Sequence, residues 1–227
     1  WSSVAQAAVA LNRSRIIMSE QQPEATPQVL NQGHSPVLLQ IWIDDGDPQA
    51  KVEQMMTPFI VDPPIFRLDG GQSRRLRVLL AQAPQSLPRD RESVYWLNVL
   101  EIPARRSRPG SNQLQIGFRS RIKLFFRPQA LAQAQQQGFA ALQFARVRDA
   151  AGRAVLRINN PAPVHQSLNT LLVEQGAQRH PLATPMVAPG AQLELVLPEA
   201  LDADTPARLH FSIINDDGNA EGGEQAL

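Results

Sequence analysis

Residues 112–128, NQLQIGFRSRIKLFFRP, alternate between apolar and polar side chains with few exceptions. Alternate positions are apolar apart from Ser120, and the positions between them are polar or charged apart from Gly117 and Phe125. The apolar positions are Leu114, Ile116, Phe118, Ile122, Leu124 and Phe126. A period of two predicts a β-strand with one apolar face. From position 114 to position 126 the strand would extend about 40 Å, roughly twice the usual length.

The apolar face of so long a strand exceeds what one sandwich domain covers with its own core. We therefore expect the first part of the strand to present Leu114, Ile116 and Phe118 outward, where they invite pairing by a strand of another chain. Such an edge is either an aggregation hazard or a binding device. It also predicts weak self-association of the free protein.

The composition of the 227-residue chain is that of a globular protein. It is 43% hydrophobic and 19% charged, which suits one large domain or two ordinary ones. The net charge of +1 provides no global attraction to nucleic acid or to an anionic membrane, and no apolar run has the length of a transmembrane helix. The sequence contains no cysteine, which excludes a disulfide framework and a cysteine nucleophile.

Most of the remaining segments have the pattern of short strands between turn residues, which is typical of antiparallel sandwiches. The predicted strands of a first block are 9–18, 37–43, 58–61, 75–80, 94–102 and 114–126. Those of a second block are 142–147, 154–158, 166–173, 193–197 and 207–214. Pro27 interrupts a further strand, which we expect to be short or at an edge. The segment 129–137 is expected to form a helical turn or a linker.

These blocks predict an all-β protein of two domains, 8–127 and 128–218. The polar, glycine-rich tail 219–227 is predicted to be disordered. Ala5-Gln6-Ala7 fits the end of a secretory signal peptide, so residues 1–7 are predicted to be its remnant and the mature protein to begin near Ala8. The alternative is a small-residue segment leading into the first strand.

No catalytic constellation is visible, and we predict no enzyme, metal or cofactor. The histidines lack metal-ligand spacing and a Ser–His–Asp pattern. The acidic turn of Asp44, Asp45 and Asp47 is interpreted as solvated, because no complete calcium loop follows it. The basic segment 105–108 has no interleaved aromatic residues, so a solvated hairpin tip is favoured over a nucleic-acid site.

Arg15 and Lys123 are candidate anion ligands, because two cations on neighbouring strands would bind a carboxylate. Strand parity places Arg15 on the face of Leu11 and Ile17. Spacing alone favours the alternative, in which each cation pairs with an internal acid or extends to water.

Six segments in order resemble the periplasmic pilus-assembly chaperones of Gram-negative bacteria, a family with two immunoglobulin-like domains set in an L. The segments are NRSRIIM (12–18), DPPIFRLDGGQSRRLRV (62–78), LPRDRESVYWLNVLEIP (87–103), NQLQIGFRSRIKLFFRP (112–128), NNPAP (159–163) and INDDG (214–218). RESVYWLNV and RIKLFFRP are the most specific. Met18 departs from the family, which often has an aromatic residue there, and so does Pro27 in the second strand.

The resemblance implies that Arg15 and Lys123 bind the C-terminal carboxylate of a pilus subunit. It implies that Leu114, Ile116 and Phe118 are the donor residues that fill a hydrophobic groove of that subunit.

Two further features follow from the same resemblance. One is the family's interdomain ion network, for which the matching residues are Glu92, Arg127 and Asp216. The other is the short segment 104–112, which together with the missing cysteines resembles the short-loop subclass.

The function implied is that of a periplasmic chaperone that folds and caps pilus or fimbrial subunits by donor-strand complementation and delivers them to an outer-membrane usher. The main alternative is a carbohydrate-binding or adhesin-type sandwich, which uses clustered surface aromatics. Aromatic residues total only 5% here, and Trp42 and Trp96 lie in apolar strands that indicate the core. A hydrolase is the second alternative, but it lacks a convergent nucleophile and base.

Overall fold

The computed structural model describes residues 8–81, 86–104, 116–134, 140–199, 201 and 205–227. The chain divides into two compact units: the first comprises Trp1–Leu87 and Ser93–Phe126, the second Pro88–Glu92 and Arg127–Leu227. The described residues form β-strands together with single turns of 3-10 helix at Val52–Gln54 and Gln129–Leu131. Within those ranges, no helix has the length and apolar character that crossing a membrane would require.

The first unit contains three antiparallel or mixed sheets built from short strands. The strands are β1 (Val9–Leu11), β2 (Arg15–Met18), β3 (Glu24–Ala25), β4 (Gln28–Asn31), β5 (Val37–Asp44), β6 (Phe59–Asp62), β7 (Ile65–Leu68), β8 (Ser73–Arg75), β9 (Arg77–Leu80), β10 (Ser93–Pro103) and β11 (Phe118–Phe126). The largest sheet has the order β2-β11-β10-β5-β7, and the smaller sheets have the orders β1-β4-β8 and β3-β9-β6. Side chains from all three sheets pack in one hydrophobic core.

The first predicted strand, 9–18, is divided between two sheets. β1 pairs with β4, whereas β2 runs parallel to β11 in the largest sheet. The ladder of β1 with β4 ends just before Asn12, whose side-chain Oδ1 accepts a hydrogen bond from the backbone N–H of Gln28 at 2.8 Å. Pro27 separates β3 from β4 as expected, since proline cannot donate to a strand ladder.

Trp42 and Trp96 do not lie in the core, so that expectation was wrong. Their neighbours Ile41, Ile43 and Leu97 are buried in the core of the first unit. Because successive side chains of a strand point to opposite faces, both tryptophans lie on the outer face of the largest sheet.

The second unit is a separate β-sandwich with its own hydrophobic core. Its strands are β12 (Gln143–Arg148), β13 (Ala154–Asn159), β14 (Gln166–Gln175), β15 (Gln178–Pro181), β16 (Met186–Val187), β17 (Gln192–Val196), β18 (Arg208–Ile214) and β19 (Ala220–Ala226). One sheet has the order β12-β13-β17, and the other has the order β15-β14-β18-β19, with β16 also paired to β14. The prediction of two all-β sandwiches is thus confirmed.

The tail 219–227 is ordered, and the prediction that it is disordered was wrong. Residues Ala220–Ala226 form strand β19, which pairs with β18 along its full length. A β carbon at Gly222 would lie 2.2 Å from the carbonyl oxygen of Phe211, so glycine permits the close approach. Main-chain hydrogen bonds do not require apolar side chains, and a hydrophobicity argument therefore misses this strand.

Candidate functional site

Strand β11 has one fully paired edge and one partly paired edge. β10 pairs along the whole strand, from Glu101 opposite Phe118 to Ser93 opposite Phe126. On the other edge, β2 covers only the stretch from Lys123 to Phe126. Within the ranges that the structure describes, no strand covers this edge over residues 118–122. The backbone groups there are positioned to pair with another strand.

The apolar face of β11 changes from buried to exposed towards the beginning of the strand. Leu124 and Phe126 are completely buried, and Ile122 packs at the margin of the core. Phe118 is half-buried, and Ile116, just before the strand, is 49% exposed. The core of the first unit therefore covers only the last part of this face.

The predicted strand from Leu114 to Phe126 is longer than the observed one. β11 begins at Phe118, and Ile116 lies outside any ladder. The ladder with β10 stops at Glu101, after which β10 pairs only with β5. Of the residues just before β11 that the structure describes, Ile116 and Gly117 therefore have no partner strand. Leu114 and residues 105–112 of the predicted short loop lie outside the described residues.

Arg15 and Lys123 are brought together on neighbouring strands. They are direct partners in the parallel register of β2 and β11. Arg15 is only 9% exposed, with its Cζ 5.9 Å from the ring centroid of Phe125, and the Nζ of Lys123 lies 5.8 Å from the ring of Trp96. Burial, followed by the positive charge of Arg15, lowers the pKa of Lys123 from 10.5 to about 8. A bound carboxylate would relieve this repulsion between cations.

A buried carboxylate, Asp44, connects β11 to β5 across the intervening strand β10. Its Oδ2 accepts hydrogen bonds from Asn98 at 2.7 Å, from Arg121 at 3.2 Å and from Arg119 at 3.3 Å, and Arg121 also contacts Oδ1. Burial opposes the charge of Asp44, but the hydrogen bonds from Arg121, Asn98 and Gly46 outweigh it and lower its pKa. The interpretation of Asp44 as part of a solvated turn was wrong, because its side chain is fully buried.

Both arginines of this cluster also stack on tryptophan. The Cζ of Arg119 lies 4.9 Å from the ring centroid of Trp42, and that of Arg121 lies 4.1 Å from the ring centroid of Trp96. These contacts hold the partly paired strand β11 against the rest of its sheet. The sequence analysis did not predict this cluster. The pattern that could have indicated it is the pair Arg119 and Arg121, which occupy alternate positions of β11 on the face opposite the core.

The three residues predicted to form an ion network are in contact, and all belong to the second unit. The Nε of Arg127 donates to Glu92 at 2.7 Å, and its two terminal nitrogens donate to Asp216 at 2.6 and 2.8 Å. Burial opposes the charge of Arg127, but the two carboxylates outweigh it and raise its pKa. His165 is an additional member, with its Nδ1 2.9 Å from Glu92. The predicted role of the network between domains stays a prediction.

Family models match both halves of the chain. Residues 8–132 match the family described as "Pili and flagellar-assembly chaperone, PapD N-terminal domain", and residues 137–225 match "Pili assembly chaperone PapD, C-terminal domain". The two sandwiches and the partly paired strand agree with this class of two-domain, immunoglobulin-like assembly chaperones. The chain belongs to the PapD family of pilus-assembly chaperones.

Individual relatives agree with this membership. The chain is 40% identical to the chaperone protein FimB/FhaD of Bordetella pertussis over 198 residues, which is 85% of this chain and 79% of that protein. It is 35% identical to the chaperone protein LpfB of Salmonella typhimurium, over 93% of this chain and 85% of LpfB. The crystal structure of the CupB2 chaperone of Pseudomonas aeruginosa is similar with a TM-score of 0.77 and 31% identity, over 96% of this chain and all of that one.

Proposed function

We propose that this chain is a periplasmic chaperone that captures pilus or fimbrial subunits by donating part of strand β11 to them. In this mechanism, a subunit with an incomplete sandwich pairs its strand with the chaperone strand and receives the chaperone's alternate side chains in its open groove. Donor-strand complementation between chaperones and pilins is a known form of strand addition at an exposed sheet edge, in which main-chain hydrogen bonds supply affinity and alternate side chains supply specificity.

The observation that carries the proposal is the coincidence of two features in one stretch of chain. The edge of β11 over residues 118–122 has no partner strand among the described residues. The same stretch, together with Ile116, carries apolar side chains that the domain core leaves partly exposed. An open edge supplies main-chain hydrogen bonds, and the apolar side chains supply burial.

Leu114, Ile116 and Phe118 are proposed as the groove-filling residues. Burial of one large apolar side chain contributes about 1.5 to 3 kcal/mol, before the loss of translational and rotational freedom is subtracted. Of the two donor residues that the structure describes, Ile116 is the more exposed, at 49%, so half of its surface is still available for such burial.

Arg15 and Lys123 are proposed to bind the C-terminal carboxylate of the subunit. Because they occupy fixed positions beside the end of the open edge, a carboxylate held there would determine which subunit residue faces which donor residue. A slip of one residue would direct every subunit side chain to the opposite face. The two cations therefore contribute to register as well as to affinity.

Several further properties belong to the same proposal. The chaperone would deliver its subunits to an outer-membrane usher and would reach the periplasm by means of a signal peptide that ends at Ala7. The exposed edge would also allow weak self-association of the free protein, which sedimentation at increasing concentration would detect. The ion network of Glu92, Arg127 and Asp216 would maintain the arrangement of the two domains.

A carbohydrate-binding role receives no support from the aromatic residues. Trp42 and Trp96 have guanidinium groups of Arg119 and Arg121 stacked on their rings. The stacked faces are therefore not available to a sugar.

The proposal is tested by co-expressing the chain with the secreted fimbrial subunits encoded beside it and identifying the co-purifying proteins by mass spectrometry. We expect a stoichiometric complex with at least one subunit, which disappears when Ile116 is replaced by aspartate. Recovery of subunits that is unaffected by changes in β11 would contradict the mechanism.

A further inference from the structure

Glu101 places a carboxylate between the sheets of the first unit. It follows Leu97 and Val99 on the core-facing side of β10, and it is only 6% exposed. Its Oε2 accepts hydrogen bonds from the backbone N–H groups of Ala8, at 2.9 Å, and Val9, at 3.1 Å. Glu101 thereby joins the largest sheet to the first residues of the chain's first strand.

This buried carboxylate lacks a counter-charge within the described part of the chain. Neither a lysine, an arginine nor a histidine there forms an ion pair with Glu101, whereas the buried carboxylates of Asp44 and Glu92 each contact arginine. Buried carboxylates in proteins are ordinarily paired, because desolvation of an isolated charge is costly. The hydrogen bonds of Glu101 come from two neutral N–H groups, and both are made to Oε2.

The nearer of the two donors to Glu101 is the nitrogen of Ala8, and proteolytic processing would give this nitrogen a positive charge. Ala5-Gln6-Ala7 fits the end of a signal peptide, and cleavage after it makes Ala8 the first residue. The nitrogen of Ala8 then becomes an α-ammonium. It would remain in place, since the carbonyl oxygen of Ala8 accepts a hydrogen bond from the N–H of Gln32 at 2.7 Å.

We propose that Glu101 is a binding site for the α-ammonium that processing creates at Ala8, so that cleavage completes a buried ion pair between β1 and β10. The inference rests on the proposed export of the chain. Because Glu101 is also the register partner of Phe118, the ion pair lies beside the beginning of the donor strand. Processing therefore stabilises the end of the sandwich from which the donor residues extend.

Four proteins test this ion pair. Two of them begin with a free Ala8, and the other two carry a Gly-Ser extension before Ala8. Each pair consists of the protein with Glu101 and its Glu101→Gln variant. With free Ala8, we expect Glu101→Gln to increase the unfolding equilibrium constant about tenfold or more. With the extension, the same change should produce no increase, because it removes a charge without a partner. Equal effects in the two backgrounds would overturn the inference.

Glu53→Gln is the matched control, since Glu53 is exposed in the same unit and the change removes the same charge. We expect it to have the same small effect with and without the extension. If Glu101→Gln prevents folding with free Ala8 and permits it with the extension, the result supports the ion pair.

The reactivity of the N-terminal amine provides a second measurement. It would be unaffected if Glu101 only packed between the sheets without pairing with the amine. A carboxylate partner raises the pKa of an ammonium group, so Ala8 should be acylated at pH 7 about tenfold more slowly than the same amine in a short peptide. Glu101→Gln should restore most of that rate. A wild-type rate equal to that of the peptide would contradict the proposal, whether or not the variant folds.

Failure of this inference can be distinguished from failure of the proposed function. N-terminal sequencing of the exported protein that showed a start other than Ala8 would overturn the ion pair while leaving subunit capture intact. Conversely, a processed protein with the expected dependence on Glu101 that captured no subunit would retain the ion pair and reject the chaperone function.

Discussion

Two open sheet edges of this molecule differ in what they can bind. In the first unit, the edge of β11 over residues 118–122 is accompanied by the partly exposed Phe118 and Ile122, and it ends beside the cations Arg15 and Lys123. In the second unit, β19 forms an edge whose sequence is AEGGEQA. Acidic side chains and glycines make an edge a poor template for another strand.

The comparison shows that an unpaired backbone is insufficient to define a binding site. Both edges present N–H and C=O groups, but only the edge of β11 combines them with apolar side chains and with a charged end point. In the proposed mechanism, the apolar side chains would provide the free energy of burial, and the cations would provide the register. The acidic side chains of β19 disfavour pairing with another strand.

The largest loss of subunit affinity should result from placing a charge among the proposed groove-filling residues. In Ile116→Asp, the subunit groove would have to bury an unpaired carboxylate, so we expect the affinity for a purified subunit to fall about a hundredfold or more. Ala220→Asp introduces the same charge at the edge of β19 and is the control. Binding measured by surface plasmon resonance should be unchanged for that control. Equal losses in both variants would remove the distinction between the edges.

Removal of either cation should have the next largest effect. Arg15→Ala or Lys123→Ala eliminates charge-assisted hydrogen bonds to the subunit carboxylate, and we expect affinity to fall about tenfold to a hundredfold. Arg208→Ala removes a cation that pairs with Glu224 of β19, and it should leave binding unaltered. Circular dichroism should confirm that all three variants are folded. Full capture by both anchor variants would refute the assignment.

The pH dependence should separate subunit capture from chaperone stability. Since the pKa of Lys123 in the folded protein is about 8 rather than 10.5, the unfolded state binds more protons between those values. This group therefore makes the free protein more stable as the pH rises from about 8 to 10.5, while the loss of its charge weakens carboxylate binding. We expect capture up to about tenfold weaker at pH 9 than at pH 7.

Isothermal titration and urea unfolding at the same pH values would measure both quantities. The Lys123→Ala variant should lose this pH dependence in each. Capture by the wild type that remains constant up to pH 9 would contradict a role for the charge of Lys123.

The cluster around Asp44 should contribute to the free energy of unfolding, because it holds β11 in its sheet. Asp44→Asn leaves Arg119 and Arg121 without their carboxylate, and we expect the free energy of unfolding to fall by about 2 kcal/mol at pH 7. Because the pKa of Asp44 is lowered in the folded protein, its stabilisation is present above the unfolded pKa and is lost as the pH falls through the folded value. In urea unfolding, the free energies of unfolding of the wild type and the variant should therefore converge below pH 4.

A change in β19, the edge strand of the second unit, should have the smallest effect on subunit affinity. In Gly222→Val, the added side chain would meet the backbone of Phe211, and we expect β19 to separate at a cost of about 1 to 2 kcal/mol in stability. Subunit affinity should not change. Hydrogen exchange should show faster exchange confined to β18 and β19, and a loss of capture would indicate that this edge also contributes to binding.

Much of the fold was predictable because it depends on local periodicity. The alternation in β5, β10 and β11 correctly identified strands, and Pro27 correctly identified an interruption. The pairing of Arg15 with Lys123 was expected from the family resemblance, and the register of β2 and β11 agrees with it. Strand β19 was missed because its pairing depends on backbone contacts and on the absence of a side chain at Gly222.

Which faces of the strands are apolar follows from the order of the residues, since a period of two requires no knowledge of neighbouring strands. Which strands are adjacent became visible only in the folded chain. Adjacency explains why Asp44 meets two arginines, why Glu101 reaches Ala8 and why β2 stops short of residue 122. The physical reason is that parity specifies the side of a sheet, whereas partners and edges arise from contacts between residues far apart in the chain.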